Sequence, residues 1–447
     1  MIRAIALVIF ATCTFAAQSG PIERLCSAKT GIVRLPPGLF EIREEIRLQG
    51  GAQSLTIEGE GTTLHASADF SGRALLSCSG CRGLTIRNLS IDGNRAALEK
   101  PLPLPPTDLP FSRFYPNNGI LVEDADGLTL ERVRFVNVAN FPVLVSHSRN
   151  VVLTRLTVKS SGSRNAKGRN NSSGGVLLEQ GVDDFTVAGS RFENIRGNAV
   201  WTHSCYGSAR NLRGRIIDNQ FVEIGRDAIQ VGHAQSVTVR GNSGRRIGFP
   251  VDLVDVEGGG TPVGIDTAGN VDQSLYESNR FQEVNGKCID LDGFHHGAVR
   301  GNTCINRGKP EDYAYGNFGI SLNNTSIEMR SEKIVIEGNH LEGMKFGGIF
   351  VVGSGHRIAH NTLLRLNTAH CNETHARFGC IAIANEPGFL ESGIYLAARA
   401  DKPDPTRGVT IEDNTISGWK MKQYCVRAAP GVSLADNRIV GNRCSDE

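Results

Sequence analysis

Four aspartates in the middle of the chain lie in short apolar segments that could bring their carboxylates together. Asp266 and Asp290 each follow an Ile and are 24 residues apart, Asp292 lies two residues after Asp290, and Asp227 begins a similar segment. Carboxylates held near one another cannot all ionise without cost, so one of them should have a raised pKa and be able to donate a proton. Hydrolysis of a glycosidic bond requires such a proton donor beside a carboxylate that acts as base or nucleophile.

Two neighbouring side chains could act as bases and support a different reaction. Lys287 lies at the start of the Asp290 segment, and His295 lies at the turn that follows it. A lyase or C5-epimerase acting on uronic acid polymers uses clustered carboxylates to bind Ca²⁺ while a Lys, Arg or His abstracts a proton. The hydrolase hypothesis implies no cofactor and no metal site, whereas the lyase hypothesis implies Ca²⁺. A third hypothesis, a non-catalytic glycan-binding surface solenoid, predicts that Arg side chains engage the aspartates.

These aspartates belong to a repeat of about 23 residues that must position them. Each unit has a strand of alternating apolar residues, and several units end in Asn: Asn219 and Asn242 are 23 residues apart, as are Asn279 and Asn302. A fixed period in this range, with period-two alternation, is typical of a solenoid of stacked parallel strands. Equivalent residues of successive coils should therefore form columns, and the Asn side chains should hydrogen-bond from coil to coil at bends that need a left-handed backbone.

The residue between the two inward apolar residues of each strand should point outward. This places the backbones of Asp266 and Asp290 about 4.8 Å apart in one outward column. From Trp201 onward the column turns polar, aromatic and acidic, which predicts a groove, whereas a loop is expected to cover the apolar earlier coils. The predicted column contains Leu121, Leu144, Leu177, Trp201, Gln230, Asp266, Asp290, Ser321, Phe350, Tyr395 and Arg427.

Several outward side chains are candidate substrate-binding groups. Trp201 and Tyr395 offer flat apolar faces on which a sugar ring could stack, and packing against a loop is the alternative. Arg427 could bind a carboxylate or a sulfate group. The other candidates are polar residues in the column or near the strand ends, namely His203, Gln230, His233 and Asn323.

The strand and bend units, such as Val-Thr-Val-Arg-Gly-Asn242 and Ile-Val-Ile-Glu-Gly-Asn339, resemble those of the right-handed parallel β-helix superfamily. Pectate lyases and polygalacturonases are its familiar members, and the resemblance covers residues 31–442. It implies an all-β, single-stranded right-handed parallel β-helix of roughly a dozen coils with loop insertions. Gly225-Arg-Asp227-Ala-Ile-Gln-Val is similar to the paired-Asp strand of polygalacturonase-type glycosidases. However, Arg226 stands in place of their first Asp, and no Gly-His-Gly follows.

The composition is consistent with one exported domain. The chain has 447 residues, but a repeat array grows lengthwise and does not divide into two or three domains. Arg3, the apolar residues 4–11 and the small residues before position 20 predict an export signal over residues 1–19, which leaves 20–447 as the β-helix domain. This signal is too short to span a bilayer as a mature helix. The protein is therefore predicted to be secreted or periplasmic.

The net charge indicates which class of partner the protein binds, and the cysteine content indicates its redox environment. The formal net charge is +2, with scattered Lys and Arg, so the predicted partner is a polysaccharide and not nucleic acid. Removal of the signal leaves ten of eleven cysteines, an even number that favours disulfides in an exported chain. Cys371 with Cys380 and Cys425 with Cys444 are predicted as local bridges, and Cys78 with Cys81 as a disulfide or two buried thiols. The sequence leaves the sugar, the linkage and the choice between monomer and homotrimer open.

Overall fold

The computed structural model is a right-handed parallel β-helix, which confirms the predicted fold class. It describes residues 19–48, 50–103, 105–170, 172–255, 260–316, 318–324, 329–371, 380, 386, 388–398 and 403–447. The predicted export signal falls outside these residues except for Ser19, so it stays a prediction. Each coil contributes strands to three parallel sheets, here called the first, second and third sheets.

The first sheet carries the outward column that contains the aspartates. Its regular strands are Asn118–Glu123, Val143–Ser146, Val176–Glu179, Val200–His203, Ile229–Gln235, Val263–Asp272, Lys287–Asp292, Ile320–Asn323, Ile349–Val351, Ile394–Leu396 and Val426–Ala428. Ile229–Gln235 and Val263–Asp272 are longer because they bend into the second sheet. The N-terminal coils have long bent strands that take part in more than one sheet, namely Gly38–Arg47, Leu55–Ser79 and Arg82–Asp92.

The other two sheets complete each coil. The second sheet contains Gly31–Arg34, Asp126–Glu131, Arg149–Thr154, Asp183–Ala188, Asn211–Leu212, Arg215–Ile217, Thr238–Arg240, Leu275–Glu277, Phe294–His295, Ala298–Arg300, Val335–Glu337, Arg357–Ala359, Thr410–Glu412 and Arg438–Val440. The third sheet contains Arg134–Val136, Thr157–Lys159, Arg191–Ile195, Gln220–Ile224, Ser243–Ile247, Arg280–Val284, Thr303–Ile305, His340–Glu342, Thr362–Leu366, Thr415–Gly418 and Arg443–Asp446. Short helices lie outside the sheets at Ser19–Ser27, Arg95–Leu98, Phe111–Phe114 and Met421–Tyr424, with 3-10 turns at Val251–Leu253, Pro310–Asp312, Phe389–Glu391 and Leu434–Asp436.

A ladder of buried asparagines holds successive coils in register. The side-chain amide of Asn242 donates to Asn279 Oδ1 at 2.9 Å, and Asn279 donates to Asn302 Oδ1 at 2.9 Å. Each Oδ1 also accepts from the backbone amide of the preceding Asn in the ladder. The predicted coil-to-coil bonding is therefore confirmed, but the predicted left-handed position is wrong by one residue. The residue before each Asn has the positive φ, as at Ser278 with 55° and Gly301 with 57°.

The Pro-rich insertion folds back over the early coils of the first sheet. The helix Phe111–Phe114 places Phe111 against Trp201, with ring centroids 5.0 Å apart, within a buried apolar cluster on the outer face of the sheet. Glu179 anchors this cover because its carboxylate accepts hydrogen bonds from the backbone amides of Phe111 and Ser112 at 2.8 and 2.9 Å. The expectation that a loop covers the apolar part of the column is thereby confirmed.

Disulfides link several parts of the described chain. Bridges join Cys78 with Cys81, Cys371 with Cys380, and Cys425 with Cys444, all of which were anticipated from the sequence. A further bridge joins Cys288 with Cys304, which connects a strand of the first sheet to a strand of the third. Spacing gave no indication of this bridge because its cysteines lie on different sheets of the same coil.

Candidate active site

The predicted column forms on the first sheet with its expected register. Asp266 is the strand partner of Asp290, with Gln230 beside Asp266 and Ser321 beside Asp290. The register is fixed because the residue before each of these four is an Ile that is fully buried inside the coil. Backbones of adjacent strands lie about 4.8 Å apart, so the two carboxylates extend from neighbouring positions of one face.

Asp266 is a buried carboxyl group with a fixed orientation. It is 9% exposed, and Gln230 Nε2 donates to its Oδ2 at 2.6 Å. Gln230 is oriented in turn because Asn198 Nδ2 donates to its Oε1 at 2.7 Å. Burial raises the pKa of Asp266 well above its ordinary value, and the charges of Asp227 and Asp290 raise it further. The Asp266 carboxyl therefore keeps a proton at a pH where an exposed Asp has lost it.

Asp290 differs from Asp266 because it lies in an ion pair. Lys287 Nζ donates to Asp290 Oδ2 at 2.6 Å, and both side chains are largely buried. The other carboxylate oxygen, Oδ1, is buried and makes no hydrogen bond to any residue that the structure describes. Two carboxylates at matching positions are thus placed in different surroundings, which is the arrangement that separates an acid from a base.

Lys287, which the lyase hypothesis takes as a base, is engaged in the ion pair with Asp290. Burial by itself would lower the pKa of its ammonium group, but the contact with Asp290 outweighs burial and the net effect raises the pKa. A Lys that abstracts a proton must first be neutral. In this structure the Lys287 ammonium is paired with the Asp290 carboxylate, and its role as a base stays a prediction.

Asp227 lies beneath the cluster and is bound by the backbone. It is 3% exposed, its Oδ1 accepts from the Val263 amide at 3.0 Å, and its own amide donates to Asn198 Oδ1 at 3.2 Å. Burial raises its pKa to about 7, the charge of Asp290 adds to this, and the charge of Arg226 acts in the opposite direction. Asp227 is thus a buried carboxyl that titrates near neutral pH.

Asp292 and Asn323 form the outer edge of the cluster. They are strand partners, and each is half-buried. The charge of Asp292 raises the pKa of both Asp266 and Lys287, which places it within electrostatic reach of the two. The structure therefore brings together Asp227, Asp266, Asp290, Asp292, Lys287, Gln230 and Asn323.

Three predicted substrate contacts are corrected. Trp201 is 8% exposed beneath Phe111, and Tyr395 is 1% exposed and stacks on Phe350, so neither offers a face to a sugar. Arg427 forms an ion pair with Glu391 at the C-terminal end of the column and lies over the Tyr424 ring. Loop packing and local ion pairing, not an open groove, explain these positions.

The rings of His203 and His233 lie beside each other, and His203 contacts the covering helix. His203 packs against Phe111 with ring centroids 4.8 Å apart, and burial, followed by the charge of His233, lowers its pKa to about 4. Burial also lowers the pKa of His233, whose ring lies 6.0 Å from that of His203. Both rings are neutral at neutral pH.

His295 is corrected as a member of the cluster. It pairs with Asp272 at the start of the second sheet, beyond the bend at Gly293, whereas Asp290 belongs to the first sheet. Burial lowers the pKa of His295, and the charges that act on it are those of Asp272, His296 and Arg210. His295 is close to Asp290 in sequence, but the turn between the sheets places the two residues on different sheets.

Sequence reasoning missed two supporting residues. Asn198 holds both Gln230 and the Asp227 backbone, and it occupies on its own coil the position that Asp227 occupies on the next. Arg226 provides a positive charge beside Asp227, at the position of the first Asp in the paired-Asp strand of polygalacturonase-type glycosidases. Asn198 could have been predicted from the sequence, because it aligns with Asp227 in one column and residues of one column are neighbours.

The described residues contain neither a metal-type cluster of side chains nor a helix of membrane-spanning length. No three His, Cys, Asp or Glu side chains among them are grouped so that they could hold a metal ion. No helix in the described ranges is long and apolar enough to cross a membrane.

Comparison with known proteins supports the architecture. Residues 74–248 match the family described as a right handed beta helix region. No curated protein sequence matches the chain. Among solved structures, the chain is similar to DFA-IIIase from Arthrobacter chlorophenolicus A6 in complex with GF2, at 13% identity and a TM-score of 0.52, over 94% of this chain and 92% of that one.

Two further structures share the fold. The Family 28 exopolygalacturonase of Yersinia enterocolitica has 12% identity and a TM-score of 0.52, over 78% of this chain and 70% of that one. The catalytic domain of a GH87 alpha-1,3-glucanase in complex with tetrasaccharides has 12% identity and a TM-score of 0.50, over 92% and 64%. At these identities the likeness establishes a common β-helix fold.

Proposed function

We propose that the protein is an exported glycoside hydrolase that cleaves a polysaccharide at the aspartate cluster of the first sheet. One observation carries the proposal: Asp266 and Asp290 are strand partners on one face, and their surroundings differ. The named activities of the three similar structures support a carbohydrate substrate. The disulfides are consistent with export, which the predicted signal at residues 1–19 would direct.

In the proposed mechanism, Asp266 is the general acid. Its proton passes to the oxygen of the glycosidic bond as the bond from that oxygen to the anomeric carbon breaks. Burial and the neighbouring carboxylates keep this proton on Asp266 until the substrate takes it. Gln230 holds Oδ2, so the orientation of the carboxyl group is set before the substrate arrives.

Asp290 is the proposed base or nucleophile. As a base it takes a proton from the water that attacks the anomeric carbon, and as a nucleophile it bonds to that carbon before water releases the sugar. Lys287 holds one oxygen of Asp290, and the opposite oxygen, Oδ1, makes no hydrogen bond within the described residues. Asp227 supports the pair from below, and Asp292 borders the site beside it.

A screen of the purified protein on neutral and acidic polysaccharides tests this proposal. A hydrolase releases new reducing ends without ultraviolet absorbance, whereas a lyase releases unsaturated products that absorb in the ultraviolet and whose formation stops on chelation. Asp290→Asn should reduce turnover at least 100-fold with an unchanged circular dichroism spectrum. The matched control is Asp126→Asn, an Asp of the second sheet paired with Arg149, which should be fully active. Unsaturated products, or glycan binding without any product, would refute the proposal.

A further inference from the structure

A cavity distinct from the aspartate cluster lies at the bend that follows the early strands of the third sheet. Its volume is about 290 Å³, and Asp92, Asn94, Arg95, Glu99 and Arg196 are among the residues that line it. Small-molecule pockets in proteins begin at about 300 Å³, so the cavity suits a small ion or a single sugar unit. It lies several coils from Asp266, and the proposed reaction uses none of its residues.

Two arginines, Arg95 and Arg196, and two acidic side chains line this cavity. The Glu99 carboxylate forms an ion pair with Arg196, and the same oxygen accepts from the Arg164 backbone amide at 2.8 Å. Glu99 is thus already engaged on that side. Arg95 Nη1 is buried and makes no hydrogen bond to the part of the chain that the structure describes. Burying a guanidinium nitrogen without a hydrogen-bond acceptor costs free energy, so a bound anion at this position would be favourable.

The surroundings of Arg95 support this interpretation. Burial lowers the pKa of its guanidinium to about 10, and the nearby charges of Arg196 and Arg164 add to the effect more than Glu99 offsets it. Asp92 Oδ1 accepts from the Asn94 amide at 3.1 Å, and Asp92 Oδ2 lies 3.3 Å from His65 Nδ1. The acidic side chains of the cavity therefore have partners, whereas Arg95 Nη1 has no hydrogen-bond acceptor among the described residues.

We propose that this cavity binds an oxyanion, either a carboxylate, a sulfate or a phosphate group, through the fork of Arg95 with Arg196 beside it. A planar guanidinium presents two parallel N–H donors, which fit two oxygens of such a group. The oxyanion is either a free ion or the acidic group of a glycan. The site does not depend on the proposed hydrolysis.

Binding to the full chain tests the site directly. Isothermal titration with sodium sulfate, phosphate and glucuronate, at constant ionic strength set with sodium chloride, should show saturable binding to the wild type. Arg95→Met should weaken the affinity at least tenfold. Arg149→Met, which removes an exposed Arg paired with Asp126, should bind as the wild type does. An acidic oligosaccharide that binds more tightly than free glucuronate indicates a glycan source, and equal affinities indicate the free ion.

Thermal melting is a second measurement, and a misfolded variant would not give the result expected for loss of the site. Without anions, Arg95→Met should melt at or above the wild-type temperature, because it removes a partly buried cation that lies beside Arg196 and Arg164. Added sulfate should raise the melting temperature of the wild type more than that of the variant, because the general salt effect acts on both proteins and binding at the site acts only on the wild type. If Arg95→Met does not fold, Arg95→Lys keeps the charge, loses the fork and should still bind more weakly. A wild-type protein that binds none of the anions, or an Arg95→Met variant that binds them equally well, would overturn the proposal.

Discussion

Replacing Asp227 with Asn should stabilise the protein above neutral pH while it reduces activity. The Asp227 carboxyl is 3% exposed and lies beneath two other carboxylates, so ionisation at this position is unfavourable. Asn is the same size and can still accept the hydrogen bond from the Val263 amide. The substitution therefore removes a buried charge with little change in packing.

The magnitude follows from the pKa of Asp227. Its pKa is about 7 in the folded chain against an ordinary 3.8, so the folded state holds the proton more tightly than the unfolded state. The resulting stabilisation is complete below about pH 4 and is lost as the pH rises through 7. At about 1.36 kcal/mol per pKa unit, this loss is about 4 kcal/mol. Because the charges of Asp227 and Asp266 interact, the gain is shared between them, and we expect the variant to gain about 2–4 kcal/mol at pH 8.

Equilibrium urea unfolding, followed by circular dichroism in steps from pH 4 to pH 8, measures this gain. The difference between Asp227→Asn and the wild type should be near zero at pH 4 and grow to its full size by pH 8. Asp126→Asn is the control, because the Arg149 hydrogen bond lowers the pKa of that exposed Asp, and its removal should give no gain at any pH. A difference for Asp227→Asn that is constant with pH, or a loss of stability at pH 8, would refute the reasoning.

Three further substitutions test the ion pair, the cover and the ladder. Lys287→Met should cost about 3 kcal/mol at pH 7 in urea unfolding, because it leaves Asp290 as a buried unpaired charge. The added substitution Asp290→Asn should recover most of that loss, and a double variant no more stable than the single one would contradict this. Glu179→Ala should release the covering helix, so acrylamide should quench Trp201 fluorescence more strongly than in the wild type, and unchanged quenching would contradict that role. Asn279→Ala removes side-chain hydrogen bonds to both neighbouring coils and should lower stability by at least about 2 kcal/mol, whereas a loss under 0.5 kcal/mol would show that the ladder is dispensable.

The register of the first sheet could be predicted because a parallel solenoid leaves little freedom. Once the repeat length and the inward Ile positions are known, each outward residue has one possible neighbour on the next coil. The pairing of Asp266 with Asp290, and of Gln230 with Asp266, follows from this alone. The same logic identifies Asn198 as the counterpart of Asp227 one coil earlier.

What could not be predicted depends on contacts made by the insertions. Phe111 reaches Trp201 from an insertion 90 residues earlier, and Glu391 reaches Arg427 from another loop. The repeat period does not predict where either insertion folds. The exposure of an outward residue is therefore uncertain wherever an insertion can fold over it, even when its column is known.

A raised pKa within the aspartate cluster could be predicted from the sequence, but the protonation state of Lys287 could not. Lys287 was correctly placed near Asp290, but its role depends on burial and on the 2.6 Å contact that holds its proton. For His295 the position was mispredicted. It lies five residues after Asp290 in the chain, but a bend between them places it on another sheet.

The division of roles between Asp266 and Asp290 is tested most directly by comparing two leaving groups. On a polysaccharide that the wild type cleaves, both Asp266→Asn and Asp290→Asn should be at least 100-fold slower. A glycosyl fluoride of the same sugar needs no proton for its leaving group, so Asp266→Asn should cleave it at nearly the wild-type rate and Asp290→Asn should not. Equal losses of both variants on the fluoride, or full activity of Asp266→Asn on the polysaccharide, would contradict the assignment of Asp266 as the acid.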